Sequence, residues 1–236
     1  MFFKDFPATS YKFGTETQSV VAQNISAYVD IFDDIKDQLD FYQYYDLYDE
    51  RPDQLSFKLY DDVSFYWTFY LLNDHIRRSG WPINANELEA WTQKRLDHTV
   101  ITTRDELLET FMVGDTIEGV SSAETGTITK RVEDLGQIFI AGTKSFTDGE
   151  LIQDANGNTL TVHSSVPEYN AVKHYLDADG EFADIDPTSG PGAEYTAVTY
   201  SEYLADENDK LRKIKVIKPE AINGVVSAFR EALRSQ

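Results

Sequence analysis

The sequence predicts an α+β protein, and three observations carry that reading. An aromatic-rich stretch holds one strand-like run followed by two runs of helical spacing. The middle of the chain then drops toward a hydrophobic period of two and becomes dense in Gly, Thr and Ser. The C-terminal part ends in an alternating strand and one amphipathic helix. The span from Tyr28 to Tyr70 holds 14 of the aromatic residues, out of 14 Tyr, 14 Phe and 3 Trp in 236 residues. That concentration supplies burial enough to offset the entropy of ordering.

Residues 1–40 read as an N-terminal arm, and residues 41–105 as a first unit with an appended helix. Phe41 to Tyr48 is rich in residues that suit a pleated surface and predicts a strand. Pro52 suits the first position of a helix, on which Leu55 and Leu59 share a face until Asp61 and Asp62 end it. Ser64 is positioned to cap a second helix, Phe65 to Asn73, with Trp67, Tyr70 and Leu71 on one face. Gly80-Trp81-Pro82-Ile83 breaks that helix and reads as an extended return. Asn84 and Glu87 have capping-box spacing before a third helix expected to bury Leu88, Trp91 and Leu96.

Residues 106–165 read as an inserted antiparallel β-module with an internal repeat. Phe111-Met112-Val113-Gly114-Asp115-Thr116-Ile117 is echoed 35 residues later by Phe146-Thr147-Asp148-Gly149-Glu150-Leu151-Ile152. Each copy runs on into a turn and a second strand, and Asn156-Gly157 is a hairpin signal. With the apolar strand Gln137 to Ala141 between them, the two hairpins predict a small sheet or barrel. Residues 166–236 divide by charge. His174 to Asp209 carries ten acids and no Lys or Arg, with a loop at Asp186 to Gly192. Lys210, Arg212, Lys213, Lys215 and Lys218 then reverse the sign. Ile214 and Val216 alternate with the lysines as a strand, and Ile222, Val225, Val226, Phe229 and Leu233 form the stripe of a helix opened by Pro219.

A net charge of −20 and a pI near 4.4 repel phosphate backbones and anionic lipid, so neither nucleic acid nor membrane is an expected partner. There is no cysteine, which excludes disulfides and thiolate metal sites. No apolar run reaches the roughly 20 residues of a membrane helix, and the N-terminus lacks a signal-peptide pattern, so a cytoplasmic compartment or a particle built there is expected. His75, His98, His163 and His174 show no ligand-pair spacing. Runs starting at Asp177 and Asp154 lack the glycine that a calcium loop needs at its sixth position, where Phe182 and Thr159 stand. Gly142-Thr143-Lys144-Ser145 lacks the Gly-Lys pair of a phosphate loop. No catalytic residue, cofactor or metal is therefore expected. Function is expected to reside in protein contacts. Tyr44, Tyr45 and Tyr48 are candidate anchors, because Tyr and Trp dominate binding hot spots. The basic stretch reads either as a docking edge, by charge complementarity or strand addition, or as a solvated strand face.

The segment Tyr44 to Asn73 resembles a LysM module, a β-α-α-β unit, although its first loop, Asp49-Glu50-Arg51-Pro52, lacks the usual Gly-Asp-Thr. A wider ordered set includes Phe3-Lys4-Asp5-Phe6-Pro7, Asp30-Ile31-Phe32, Arg51 to Leu55, Phe65-Tyr66-Trp67, Leu71-Leu72-Asn73, Gly80 to Ile83 and Leu211 to Ile217. It resembles the small LysM-like baseplate wedge proteins of T-even-like contractile-tailed phages. That resemblance implies a virion subunit without catalytic residues, assembled in the host cytoplasm, that fastens neighbouring wedges around the tail hub. The implied partners are the wedge-core proteins, the sheath-initiating wedge protein and neighbouring wedge copies. It further implies contacts through Arg51, Pro52, Tyr66 and Trp81 in one element, and through Arg212, Lys213, Ile214, Lys215, Val216 and Phe229 in the other. The alternative is a LysM-type peptidoglycan-binding module of a cell-wall-targeting protein.

Overall fold

The computed structural model describes residues 8–12, 19–23, 41–107 and 109–234. Helices and antiparallel sheets are mixed along the chain, an α+β architecture. Two compact units form: residues 1–84 with 208–236, and residues 85–207. The N-terminal arm is described only as β1 (Ala8–Lys12) and β2 (Ser19–Gln23), an antiparallel pair. The remainder of the arm, with Phe3 to Pro7 and Asp30 to Phe32, lies outside the described residues.

The first unit is built on a two-stranded sheet whose halves lie far apart in sequence. β3 (Tyr42–Asp46) runs antiparallel to a strand at Lys213–Ile217 near the C-terminus, with Tyr44 opposite Lys215. The expected extended return at Gly80 to Ile83 is not a strand. Trp81 instead packs its ring 5.8 Å from both Phe69 and Tyr70 and donates Nε1–H to Glu50 O at 2.8 Å. That hydrogen bond and Pro82 hold the segment away from any ladder. Helix α1 (Pro52–Tyr60) starts at its proline and stops where Asp61 turns left-handed. A short 3₁₀ turn, Val63–Phe65, precedes α2 (Trp67–Leu72) and α3 (Asp74–Ser79). Ser64 caps no helix: Asp62 caps the 3₁₀ turn by accepting the Ser64 N–H at 2.7 Å, and α2 starts after Tyr66 without a side-chain cap.

Two hydrophobic clusters fill this unit. Leu47, Leu55, Phe69, Ile76, Ile214 and Val216 pack helices against one face of the sheet. Trp67, Leu71, Leu72 and Ile217 pack against the C-terminal helix through Ile222, Val225, Val226 and Phe229. Tyr70 therefore does not share a cluster with Trp67 and Leu71; it joins Trp81 beside the first set. The side chain of Leu233 lies outside the described residues. The two points where the chain leaves and re-enters the unit are tied together. Ile83 N–H donates to Asn208 Oδ1, and Asn208 Nδ2 donates to Ile83 O, each at 3.0 Å.

The second unit opens with α4 (Ala85–Arg95), which buries Thr92 and leaves Trp91 44% exposed under the Arg95 guanidinium. Its other helix, α5 (Tyr200–Lys210), ends at the crossing back to the first unit. Between them lies a seven-stranded sheet. Its terminal strands β9 (Thr159–Thr161) and β10 (Ser164–Pro167) are two halves of one extended run. That run pairs with β8 (Leu151–Asp154) at one end and with β4 (Thr99–Thr102) at the other, and His163 N–H donates to Thr102 O. The sheet thus closes into a barrel. The expected joining strand is β7 (Gln137–Ile140), but it pairs with β4 and β6 (Thr125–Val132) while β5 (Thr116–Gly119) pairs directly with β8. Ile101, Ile117, Ile128, Ile138, Ile140, Ile152 and Leu160 fill the interior. A smaller sheet combines β11 (Val172–Leu176), β12 (Phe182–Ala183) and β13 (Thr196–Thr199).

The sequence repeat is a structural repeat at the level of single hydrogen bonds. Gly114 N–H donates to Ile128 O and Gly149 N–H to Val162 O; Ile128 N–H returns to Asp115 O and Val162 N–H to Glu150 O. Both glycines have positive φ, 99° and 84°, which a side chain would resist. Asp115 accepts the Met112 N–H at 2.7 Å, as Glu150 accepts the Thr147 N–H at 2.6 Å. The extra methylene of Glu150 lets it also accept Ser121 N–H, Ser122 N–H and the Ser122 hydroxyl. Burial alone would raise its pKa; these donors outweigh that and hold it below the ordinary glutamate value.

Candidate functional site

Strand parity divides the β3 sheet into two faces. The inner face presents Tyr45, Ile214 and Val216 to the core. The outer face carries Tyr42, Tyr44 and Asp46, with Lys213 and Lys215 from the partner strand, which is β14 in chain order. Tyr44 is 62% exposed, and Tyr48 just beyond the strand is 78% exposed. The rings of Tyr42 and Tyr44 meet edge-on at 5.9 Å. Lys215 Nζ lies 4.8 Å from the Tyr42 ring centre and Lys213 Nζ 5.5 Å from that of Tyr44. A cation over a tyrosine face at an exposed site is worth about 0.5–1 kcal/mol. In a chain of net charge −20, this is a local basic and aromatic surface.

Other expected contact residues belong to the interior. Ile214, Val216 and Phe229 are each 0% exposed and are core residues, because alternation and the helix stripe turn them inward. Tyr45 is half-buried and donates its hydroxyl proton to Glu50 at 3.1 Å. Trp81 is structural as described. Pro52 is half-buried at the start of α1. Arg212 is occupied as a clamp: Nε–H donates to Asp209 Oδ1 at 2.8 Å, and its terminal nitrogens donate to Tyr48 O and Ile83 O. Arg51 pairs with Asp53 at 3.2 Å and stays exposed, and Tyr66 is 43% exposed at the start of α2. Of the thirteen expected residues, the geometry brings Tyr44, Lys213 and Lys215 together. Tyr42, which completes the set, shares strand parity with Tyr44, and that parity was the available signal.

The loop after β3 is braced from within. Glu50 accepts from Lys58 Nζ at 2.7 Å and from Tyr48 N–H at 3.0 Å, donors that outweigh burial and lower its pKa, while Glu50 and Tyr45 raise that of Lys58. Among the described residues, no group of three or more His, Asp or Glu side chains could hold a metal. Asp177 is a turn residue, accepting the N–H groups of Asp179 and Glu181. Leu88, Thr92, Tyr169, Ser201 and Ala205 line a half-open cavity of about 300 Å³ between α4 and α5. No helix is long and apolar enough to cross a membrane, among the described residues.

The geometry thus gathers Tyr42, Tyr44, Lys213 and Lys215 on one face of a two-stranded sheet. Residues 1–95 match the family model described as base plate wedge protein 53. The match takes in β1 to β3 and α1 to α4 and stops before the barrel. No curated protein matches the chain.

Proposed function

We propose that the chain is a structural wedge subunit of a contractile phage tail baseplate. It fastens neighbouring wedges around the hub through protein contacts and performs no catalysis of its own. The observation that carries this reading is the similarity of residues 1–95 to base plate wedge protein 53, which supports a structural role in a phage baseplate. The tyrosine–lysine face supports a binding role for the same unit, since Tyr42 and Tyr44 fall inside the matched residues. The unit is read as a variant of the LysM-like β-α-α-β order, in which β3, α1, α2 and an additional short α3 are followed by residues 85–207 and then by the strand Lys213–Ile217. Partners are the wedge-core proteins, the sheath-initiating wedge protein and neighbouring wedge copies, met in the virion after assembly in the host cytoplasm.

A pull-down of the tagged full chain from a phage-infected lysate, read by mass spectrometry, tests the proposal. Recovery of baseplate wedge proteins is expected. Recovery of cell-wall fragments without tail proteins would overturn it in favour of a peptidoglycan-binding module. Deleting the gene is expected to halt assembly at the wedge stage, and intact baseplates without it would refute the fastening role.

A further inference from the structure

We propose that the outer edge of β3 receives an extended acidic segment of a partner protein, which adds to the sheet as a third strand. This deepens the reading of the tyrosine–lysine face as a protein-binding surface and rests on it. Backbone direction decides which groups of each strand are open. Leu47 N–H donates to Arg212 O and Lys218 N–H to Phe41 O, so odd-numbered residues of β3 face the ladder and even-numbered ones face away. On the Lys213–Ile217 strand, the central outward groups and the last carbonyl are already taken. Asn73 accepts Lys215 N–H and donates to Lys215 O, each at 2.7 Å, and the Tyr60 hydroxyl donates to Ile217 O at 2.9 Å. Strand addition to the basic strand itself is therefore blocked.

On β3 the outward N–H and C=O groups of Tyr42, Tyr44 and Asp46 have no backbone partner among the described residues. Proteins defend such edges with lysine, proline, a bulge or a covering element, because an open row of donors and acceptors recruits other strands. The sequence Tyr-Gln-Tyr-Tyr-Asp has neither lysine nor proline, and its register is free of bulges. The charge of the occupant follows from the same face. Lys213 and Lys215 lean onto the Tyr44 and Tyr42 rings, toward the open edge. An incoming strand presents every second side chain to that face, beside two ammonium groups, two tyrosine hydroxyls and, at the Asp46 end, one carboxylate, so the net charge beside it is positive. Carboxylates at those positions match it, and lysines there would meet like charge.

The test uses the isotope-labelled full chain with two synthetic strand peptides, one alternating glutamate with valine and the other lysine with valine. With the acidic peptide, the amides of Tyr42, Tyr44 and Asp46 should gain about tenfold hydrogen-exchange protection, while Gln43 and Tyr45 stay unchanged. The basic peptide should have no effect. Tyr44→Pro removes the central donor without touching the ladder to Lys213–Ile217 and should abolish the response. Lys213→Glu with Lys215→Glu, two substitutions outside the core, should transfer the response to the basic peptide. Equal response to both peptides, protection without alternation, or full protection of these amides in the free chain would each overturn the proposal. The lysate pull-down separates the two claims. If the Lys213→Glu/Lys215→Glu chain melts normally and still recovers wedge proteins at the original yield, strand addition falls and the baseplate reading stands.

Discussion

The barrel of the second unit and the two-stranded sheet of the first solve the same problem in opposite ways. Among the described residues, β4 to β8 each pair on both sides, and the run 159–167, bent at His163, pairs with β8 through one half and β4 through the other, while Asp105 and Asp148 take its free Thr161 and Ser165 N–H groups. The β3 sheet of the first unit stops at two strands, and among the described residues the Asn73 amide and the Tyr60 hydroxyl take outward groups of one edge, those of Lys215 and Ile217. Edge closure is thus uneven among the described residues. A chain able to close a barrel and to block part of one side of a small sheet with two side chains leaves β3 uncovered among the described residues.

That contrast can be broken most forcefully by ending the chain after Glu207. Loss of the strand Lys213–Ile217 and of the helix Ile222–Arg234 should unfold the first unit. The barrel amides of Ile117, Ile128 and Ile140 should keep their hydrogen-exchange protection, and persistent protection at Leu55 and Phe69 would show that the first unit does not need its C-terminal half. A subtler break is Phe229→Ala. The ring is fully buried, 5.2 Å from Trp67, and its loss should cost about 4 kcal/mol in a urea melt followed by tryptophan fluorescence. Asn73→Ala should cost about 3 kcal/mol in the same melt, because it orphans both backbone groups of Lys215.

The barrel is sharpened by acid. Glu150 titrates below the ordinary value of 4.5 when folded, so its contribution is complete above that value and is lost as pH falls through the folded pKa. Glu150→Gln should destabilise the barrel by about 2 kcal/mol at neutral pH and flatten that part of the acid profile. The smallest effect on stability belongs to Tyr44→Ala, within about 0.5 kcal/mol by thermal melting, since the side chain is mostly solvated. Its effect should appear in partner recovery instead.

Local rules carried much of this from sequence. Pro52 marked a helix start, Asn156-Gly157 a hairpin, the 35-residue echo a duplicated hairpin, and the alternation at Ile214 and Val216 a strand with one buried face. What stayed hidden was pairing at long range. Nothing local says that Tyr44 meets Lys215 rather than the segment at Trp81, because the cost of closing a long loop is met by packing that no single window shows. The site suffered for the same reason. A basic run signals a surface, but whether Arg212 is a contact or a clamp depends on carbonyls at Tyr48 and Ile83, more than a hundred residues upstream.

The split of the first unit also sets an order of events during synthesis. Tyr42–Asp46 leaves the ribosome 167 residues before Lys213, the start of its partner strand. At ordinary elongation rates that is a wait of roughly 10–30 s. The barrel, continuous in sequence, can fold within the interval. The tyrosine–lysine face does not exist until the last strand arrives, so completion of the chain precedes completion of that surface.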